Sequence, residues 1–244
     1  MQEQIKDKSK LQLSYLLPNL ITTGGLFAGF YAVVAAMNGH FEQAAVSIFI
    51  AMLLDGLDGR VARLTGTSSE FGAQYDSLAD MVSFGIAPAL VSFSWILHSL
   101  GKSGWALSFI YAAATGLRLA RFNCQLGKSE DKKYFTGLPS PAAAGCVAGL
   151  IWVAANLNIE HSALFAISVG ALVAAIGVLM VSNVKYRSFK DLKLKKKIPF
   201  LLALAIAATY ALIAVNPAIC LFAIFAIYTL SGPIESSYRY IRPL

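Results

Sequence analysis

Four aspartates fall within one 26-residue stretch, Asp55 and Asp58 followed by Asp76 and Asp80. A helix advances about 100° per residue, so Asp55 and Asp58 sit about 60° apart on one helix face, and Asp76 and Asp80 about 40° apart on another. The segment between the pairs holds Thr67-Ser68-Ser69 with Gly66 and Gly72, which suits a turn joining two antiparallel helices and lets the two faces converge. Converging carboxylates repel strongly in a low-dielectric setting, and Arg63 alone does not neutralise four. Divalent cations do. Oxygen-only ligands select hard ions over zinc or copper, so Mg²⁺ or Mn²⁺ is expected at Asp55, Asp58, Asp76 and Asp80, with Ca²⁺ a third candidate. Magnesium usually completes its shell with water and substrate phosphates, which implies a phosphate-bearing substrate.

Acid–base chemistry at such a site has no histidine to draw on, because His40, His98 and His161 fall at the opposite side of the membrane in the topology below. Either one aspartate doubles as general base, or the metal alone lowers the pKa of the acceptor. Gly59 and Ala62 flank the first pair as small residues. They allow a flat group, a nucleobase or a pyrophosphate, to lie against the backbone, and simple helix packing explains them as well.

The elements that must hold these residues are membrane helices. The 244 residues are 57% hydrophobic and 14% charged, and the mean hydropathy is +0.63. That balance points to an all-α, polytopic bundle forming one domain over 1–244. Charged side chains in such helices cost about 2.5–3.5 kcal/mol each at the bilayer centre, so clustered ones usually serve a function. Eight apolar stretches approach the ~20 residues that cross ~30 Å of hydrocarbon. They run from about Tyr15 to Met37, Gln43 to Val61, Asp76 to Leu97, Trp105 to Ala120, Pro141 to Asn156, Ala163 to Val181, Ile198 to Val215 and Ala218 to Gly232. The last two are short and joined tightly at Asn216-Pro217, so a hairpin that does not cross fully is the alternative there.

Lysines and arginines alternate with these spans. On one side lie Lys6, Lys8, Lys10, Arg60, Arg63, Arg118, Arg121, Lys128, Lys132, Lys133, the run from Lys185 to Lys197, Arg239 and Arg242, and on the other only Lys102. The basic side is expected to be cytoplasmic, giving a multi-pass protein of the cytoplasmic membrane with both termini and the aspartates facing the cytoplasm. The net charge of +7 then meets anionic lipid head groups at that face. The basic start of the chain resembles a signal peptide, but its apolar run is too long for one and reads as an uncleaved first span. Two polar stretches, Gln125 to Thr136 and Lys185 to Lys197, read as cytoplasmic loops. Phe189, Leu192 and Leu194 permit a short interfacial helix in the second. Cys124, Cys146 and Cys220 have neither disulfide nor zinc spacing. Gly25 and Gly29, like Gly145 and Gly149, stand at helix-packing spacing, which serves packing within one subunit or a homodimer, and a homodimer is expected. No nucleic-acid partner is expected.

As one pattern, D-x-x-D-G-x-x-A-R, eight residues, G-x-x-x-D-x-x-x-D, the stretch from Asp55 to Asp80 resembles the signature of the CDP-alcohol phosphatidyltransferase family at every motif position. The resemblance implies a six-helix catalytic core with the site at the cytoplasmic ends of helices two and three. It also implies two divalent ions on Asp55, Asp58 and Asp76, with Asp80 close to the metals and acting as the candidate catalytic base. Gly59, Ala62, Arg63 and Gly72 would hold the CDP moiety. Pro18-Asn19-Leu-Ile-Thr22, at the start of the first span, resembles a family segment near the nucleotide, so Asn19 and Thr22 join that set. Capping of the helix start is the plainer reading of their polarity.

Three further segments resemble the serine-accepting branch of the family: Asp76 to Pro88 (DSLADMVSFGIAP), Arg118 to Asn123 (RLARFN) and Gly137 to Ala142 (GLPSPA). The expected reaction is transfer of a phosphatidyl group from CDP-diacylglycerol to L-serine, releasing CMP. Arg118 and Arg121 could grip the serine carboxylate or a lipid phosphate, and Asn123 and Ser140, in the same segments, join them as residues expected to bind serine or a lipid phosphate. As snorkelling topology markers they need no such role. Another acceptor, glycerol 3-phosphate or an inositol phosphate, is the nearest alternative. A divalent-cation transporter is the distant one, since transport sites tend to lie near the midplane on broken helices. The phospholipase D-like type of serine transferase needs H-x-K, which none of the three histidines begins.

Overall fold

The computed structural model describes residues 2–67, 69–125, 134–157, 159, 162–187 and 211–241, without side chains at 2–15, 125 and 239–241. The helices, in chain order, are α1 (Gln2–Met37), α2 (Phe41–Thr65), α3 (Glu70–Asp80), α4 (Ala87–Trp95), α5 (Lys102–Gln125), α6 (Ser140–Asn156), α7 (Ala163–Val181) and α8 (Pro217–Ile241). A π-helical turn, Met81–Ile86, joins α3 to α4 without a break. A short 3₁₀ turn, Leu97–Leu100, leads into α5.

Among the described residues four stretches are long and apolar enough to cross a membrane: Leu16–Met37, Glu70–Trp95, Ala163–Val181 and Pro217–Tyr238. The α6 helix is apolar but shorter. The expected spans in α2 and α5 are helical throughout, with Asp55, Asp58, Arg60 and Arg63 in the one and Arg118 and Arg121 in the other. The seventh expected span, Ile198 to Val215, lies outside the described residues except for 211–215, which are helical. The proposed interfacial helix around Phe189 to Leu194 also lies outside them. Large apolar side chains stay exposed around the bundle, among them Phe27, Phe30, Leu53, Phe109, Leu164 and Ile227, as a lipid-facing surface requires.

Small residues make the core. Buried alanines of α1, α2 and α6 (Ala32, Ala44, Ala45, Ala143, Ala144 and Ala148) let the helices approach closely around Ile48, Phe84 and Ile151. Both glycine pairs are used inside the chain. A Cβ on Gly29 would lie 2.5 Å from Ser83 Oγ, and Cβ atoms on Gly145 and Gly149 would lie within 3 Å of Phe225 and Phe222 on α8. The glycine spacing therefore carries no argument for a homodimer.

Three expectations about local structure are corrected. The third span does not begin at Asp76 but at Glu70, because Ser69 caps the helix there and its Oγ accepts from the Gly72 N–H at 3.0 Å. Gly72 thus belongs to the first turn of α3. The chain reversal is made by Gly66, whose φ of 64° ends α2 in the left-handed region. Asn19 and Thr22 do not cap a helix start, since α1 begins upstream at Gln2 and Pro18 lies within it. The polar stretches also contain two strands that periodicity did not announce. β1 (Tyr134–Thr136) and β2 (Lys185–Arg187) pair antiparallel, with Phe135 opposite Tyr186. Tyr186 is fully buried, packs its ring over Gly232 of α8 and donates to the Thr229 carbonyl at 3.0 Å. This ties the α5–α6 and α7–α8 connections together beside the aspartate end of the bundle.

Candidate metal and nucleotide site

The connection from α2 to α3 is short, reversing at Gly66, and both helices pack on α1. This brings the two aspartate faces together, as their spacing predicts. Carboxylate oxygens of Asp55, Asp76 and Asp80 lie within 4.8 Å of one another. Asp58 lines the same cavity, with Thr22, Gly25, Ala51, Ala79, Ser83 and Phe84 forming much of the remaining wall. Asp58 stands slightly apart from the other three. It is buried, and its Oδ2 accepts from the Thr22 hydroxyl at 2.7 Å. Three carboxylates this close, half-buried, need a counter-charge. The all-oxygen donor set fits a hard divalent ion.

Next to the carboxylates opens a cleft lined by Asn19, Thr22, Gly59, Ala62, Arg63 and Gly72 together with Asp58 and Asp76. All six residues assigned to CDP by resemblance therefore share one wall with two of the aspartates. Gly72 sits against Asn19, whose Oδ1 a Cβ there would meet at 3.4 Å, and the guanidinium of Arg63 covers Gly59 at a similar distance. Pro18, from the segment expected near the nucleotide, completes the lining together with Thr67, Ser69 and Ala73, which sequence reasoning missed. Thr67 and Ser69 had a usable signal in the polar turn between the aspartate pairs. Thr22 has a role beyond the cleft, because it orients Asp58.

A matching family and near full-length relatives show what kind of protein carries this cavity. A model of the CDP-alcohol phosphatidyltransferase family matches residues 15–231. The chain belongs to the CDP-alcohol phosphatidyltransferase family. It is 37% identical over 228 residues, 93% of this chain and 94% of the relative, to the CDP-diacylglycerol–serine O-phosphatidyltransferase of Helicobacter pylori strain J99. It is also 35% identical over 184 residues to the protein of the same name from Methanocaldococcus jannaschii, covering 74% of this chain and 79% of that one. The Bacillus subtilis protein of that name is 32% identical over 174 residues, 71% of this chain and 91% of its own. This phosphatidyltransferase is thus an enzyme with an aspartate cluster compatible with metal binding.

In this transferase the residues expected at the acceptor do not act alike. The charge of Arg118 acts on Asp80, and its Nε donates to the Leu138 carbonyl. Arg121 turns the other way. Its terminal nitrogens donate to the Val181 carbonyl at 3.3 Å and to Asn183 Oδ1 at 3.0 Å, so it caps the end of α7. Asn123 donates from Nδ2 to Ser77 Oγ at 3.0 Å and braces α5 against α3 between Asp76 and Asp80. Ser140 is buried at the start of α6, two residues after Leu138. The i, i+3 spacing of the arginines, read as a shared grip, is therefore split between two partners. Of the two, Arg118 is the one whose charge acts on Asp80.

Proposed function

We propose that this chain is a CDP-diacylglycerol–serine O-phosphatidyltransferase, making phosphatidylserine and CMP at the cytoplasmic face of the cytoplasmic membrane. The observation that carries the reading is the pairing of the aspartate cluster with a nucleotide-type cleft, in a chain whose near full-length relatives bear that name. Arg118, the cation beside Asp80, adds a group suited to the carboxylate that serine has and simple alcohols lack.

Asp55, Asp76 and Asp80, with Asp58 beside them, would hold two divalent ions, Mg²⁺ or Mn²⁺. When bound, such ions screen the pyrophosphate and stabilise the departing CMP. The chain's own residues do the rest. Gly59, Ala62 and Gly72 keep the cleft wall open so that the nucleotide lies against backbone, while Asn19 and Arg63 supply polar contacts. Asp80 takes the proton of the serine hydroxyl as that oxygen attacks the lipid-side phosphorus. One P–O bond forms to serine and one breaks toward CMP, with no covalent enzyme intermediate. Arg118 orients the amino acid by its carboxylate.

Purified full-length protein, given CDP-diacylglycerol, Mn²⁺ and a panel of alcohols, should release CMP fastest with L-serine. Faster release with glycerol 3-phosphate or an inositol phosphate would move the chain to another branch of the family. Orientation has a separate test. Single cysteines placed after Met37, Leu97, Asn156 and Val215 should react with an impermeant maleimide from outside, and those near Ser68, Ser129 and Lys193 should not. The reverse pattern would put the aspartates on the wrong side for a cytosolic nucleotide product.

A further inference from the structure

A π turn separates Asp80 from α4. In a continuous α-helix the buried residues of α4 (Ala87, Pro88, Ala89, Val91, Ser92 and Trp95) would centre roughly 70° around the axis from Asp80. The π turn, in which the Ala87 N–H bonds the Val82 carbonyl five residues back, takes up a rotation of about one residue. Asp76 and Asp80 can then face α2 while α4 still buries its own face.

A π turn is poorer in hydrogen-bond geometry than an α turn, so it persists where its surroundings hold it. Here three neighbours do. Pro88 has no N–H to give the Phe84 carbonyl four residues back, and the fully buried Tyr111 hydroxyl of α5 donates to that carbonyl at 3.1 Å. On the opposite side Ser83 sits in the notch at Gly29 and donates to the Gly25 carbonyl at 3.1 Å. Gly85 lies flat against α5, where a Cβ would come 3.1 Å from Thr115 Cγ2.

We propose that Tyr111 is a positioning residue: its hydroxyl, bonded to the Phe84 carbonyl, locks the π turn and thereby turns Asp76 and Asp80 toward Asp55. Its consequence for metal affinity rests on the reading of the aspartates as a divalent-metal site.

Tyr111→Phe in the full-length protein removes the hydroxyl and keeps the ring. In metal-free protein, amide exchange at Met81–Ala87 should quicken roughly three- to tenfold, the range expected for loss of one buried hydrogen bond. Free Mn²⁺, counted by electron paramagnetic resonance, should show binding weakened by a similar factor, about three- to tenfold. The same factor should appear in the Mn²⁺ dependence of CMP release, with kcat at saturating Mn²⁺ within about twofold of the parent. Ser108→Ala is the control: it deletes another buried hydroxyl of α5, one that donates to the Gly104 carbonyl away from the π turn, and should change neither reading.

Unchanged Mn²⁺ affinity in Tyr111→Phe, or an equal loss in Ser108→Ala, overturns the proposal. If Tyr111→Phe does not fold, Ser83→Ala loosens the turn from its other side and should weaken Mn²⁺ binding likewise; unchanged affinity there overturns it too. Should the parent protein bind no Mn²⁺ that Asp55→Asn abolishes, the metal reading of the site fails. The exchange rates at Met81–Ala87 still decide the lock, and rates equal to the parent's sink it.

Discussion

Replacing Asp55 or Asp76 by Asn is expected to lower CMP release roughly a thousandfold, about 4 kcal/mol of transition-state stabilisation, while the bundle stays folded. Asn keeps the shape of the side chain and removes the charge, so what is lost is the anionic ligand. The clustering of Asp55, Asp76 and Asp80 within 4.8 Å makes each of them hard to replace, since Asp58, the fourth carboxylate of the cavity, is held by the Thr22 hydroxyl. The same geometry predicts the stability result. Without metal the three carboxylates repel, so removing one charge relieves the folded state, and the thermal midpoint of the metal-free variant should match or exceed that of the parent. Turnover is to be measured at saturating Mg²⁺ and Mn²⁺, with unfolding followed in detergent. Full turnover by either variant would overturn the site assignment, whereas loss of activity together with collapse of the fold would mean that the aspartates hold the bundle and not the substrate.

The second large effect is expected at Arg118. Its Nε is engaged by the Leu138 carbonyl, and its charge acts on Asp80. Lys keeps the charge but has neither the Nε anchor nor the two-pronged geometry that matches a carboxylate. Arg118→Lys should therefore raise the KM for L-serine about 10- to 100-fold, the worth of a charge-assisted hydrogen bond, with little change in the KM for CDP-diacylglycerol. Arg121→Lys is the informative companion. Both terminal nitrogens of Arg121 are taken by Val181 and Asn183, so its serine KM should shift much less. Equal shifts in the two variants would restore the picture of a paired grip. No shift in either would leave both arginines as residues of the membrane face.

The chemistry was legible in the sequence because it depends on local spacing. Helical periodicity alone puts Asp55 with Asp58 and Asp76 with Asp80, and the polar turn between the pairs is short enough to force the faces together. Hydrophobic length likewise announces the apolar helices, since a bilayer imposes that length whatever the sequence beyond it. Even the missed start of α3 was a boundary error, because the Ser69 cap competes with the onset of hydrophobicity as a marker of where a helix begins.

What the sequence could not decide was set by contacts between distant segments. The separation of Arg118 from Arg121 follows from the Leu138 and Val181 carbonyls, 20 and 60 residues away, and spacing carries no information about which carbonyl lies within reach. The small sheet of β1 and β2 forms because Tyr186 finds its space over Gly232, a fit between residues 46 positions apart. The glycine pairs had two equal readings until Phe222, Phe225 and Ser83 were seen to fill them. The π turn was hidden for the same reason. Met81 to Ile86 reads as ordinary apolar helix, and its extra residue per turn is stabilised only from outside, by Tyr111 and by the α1 backbone. Sequence alone determined which groups could do the chemistry and that a membrane bundle must carry them, since both follow from neighbours along the chain. The tertiary structure decided where those groups point, since direction depends on packing against residues far away in sequence.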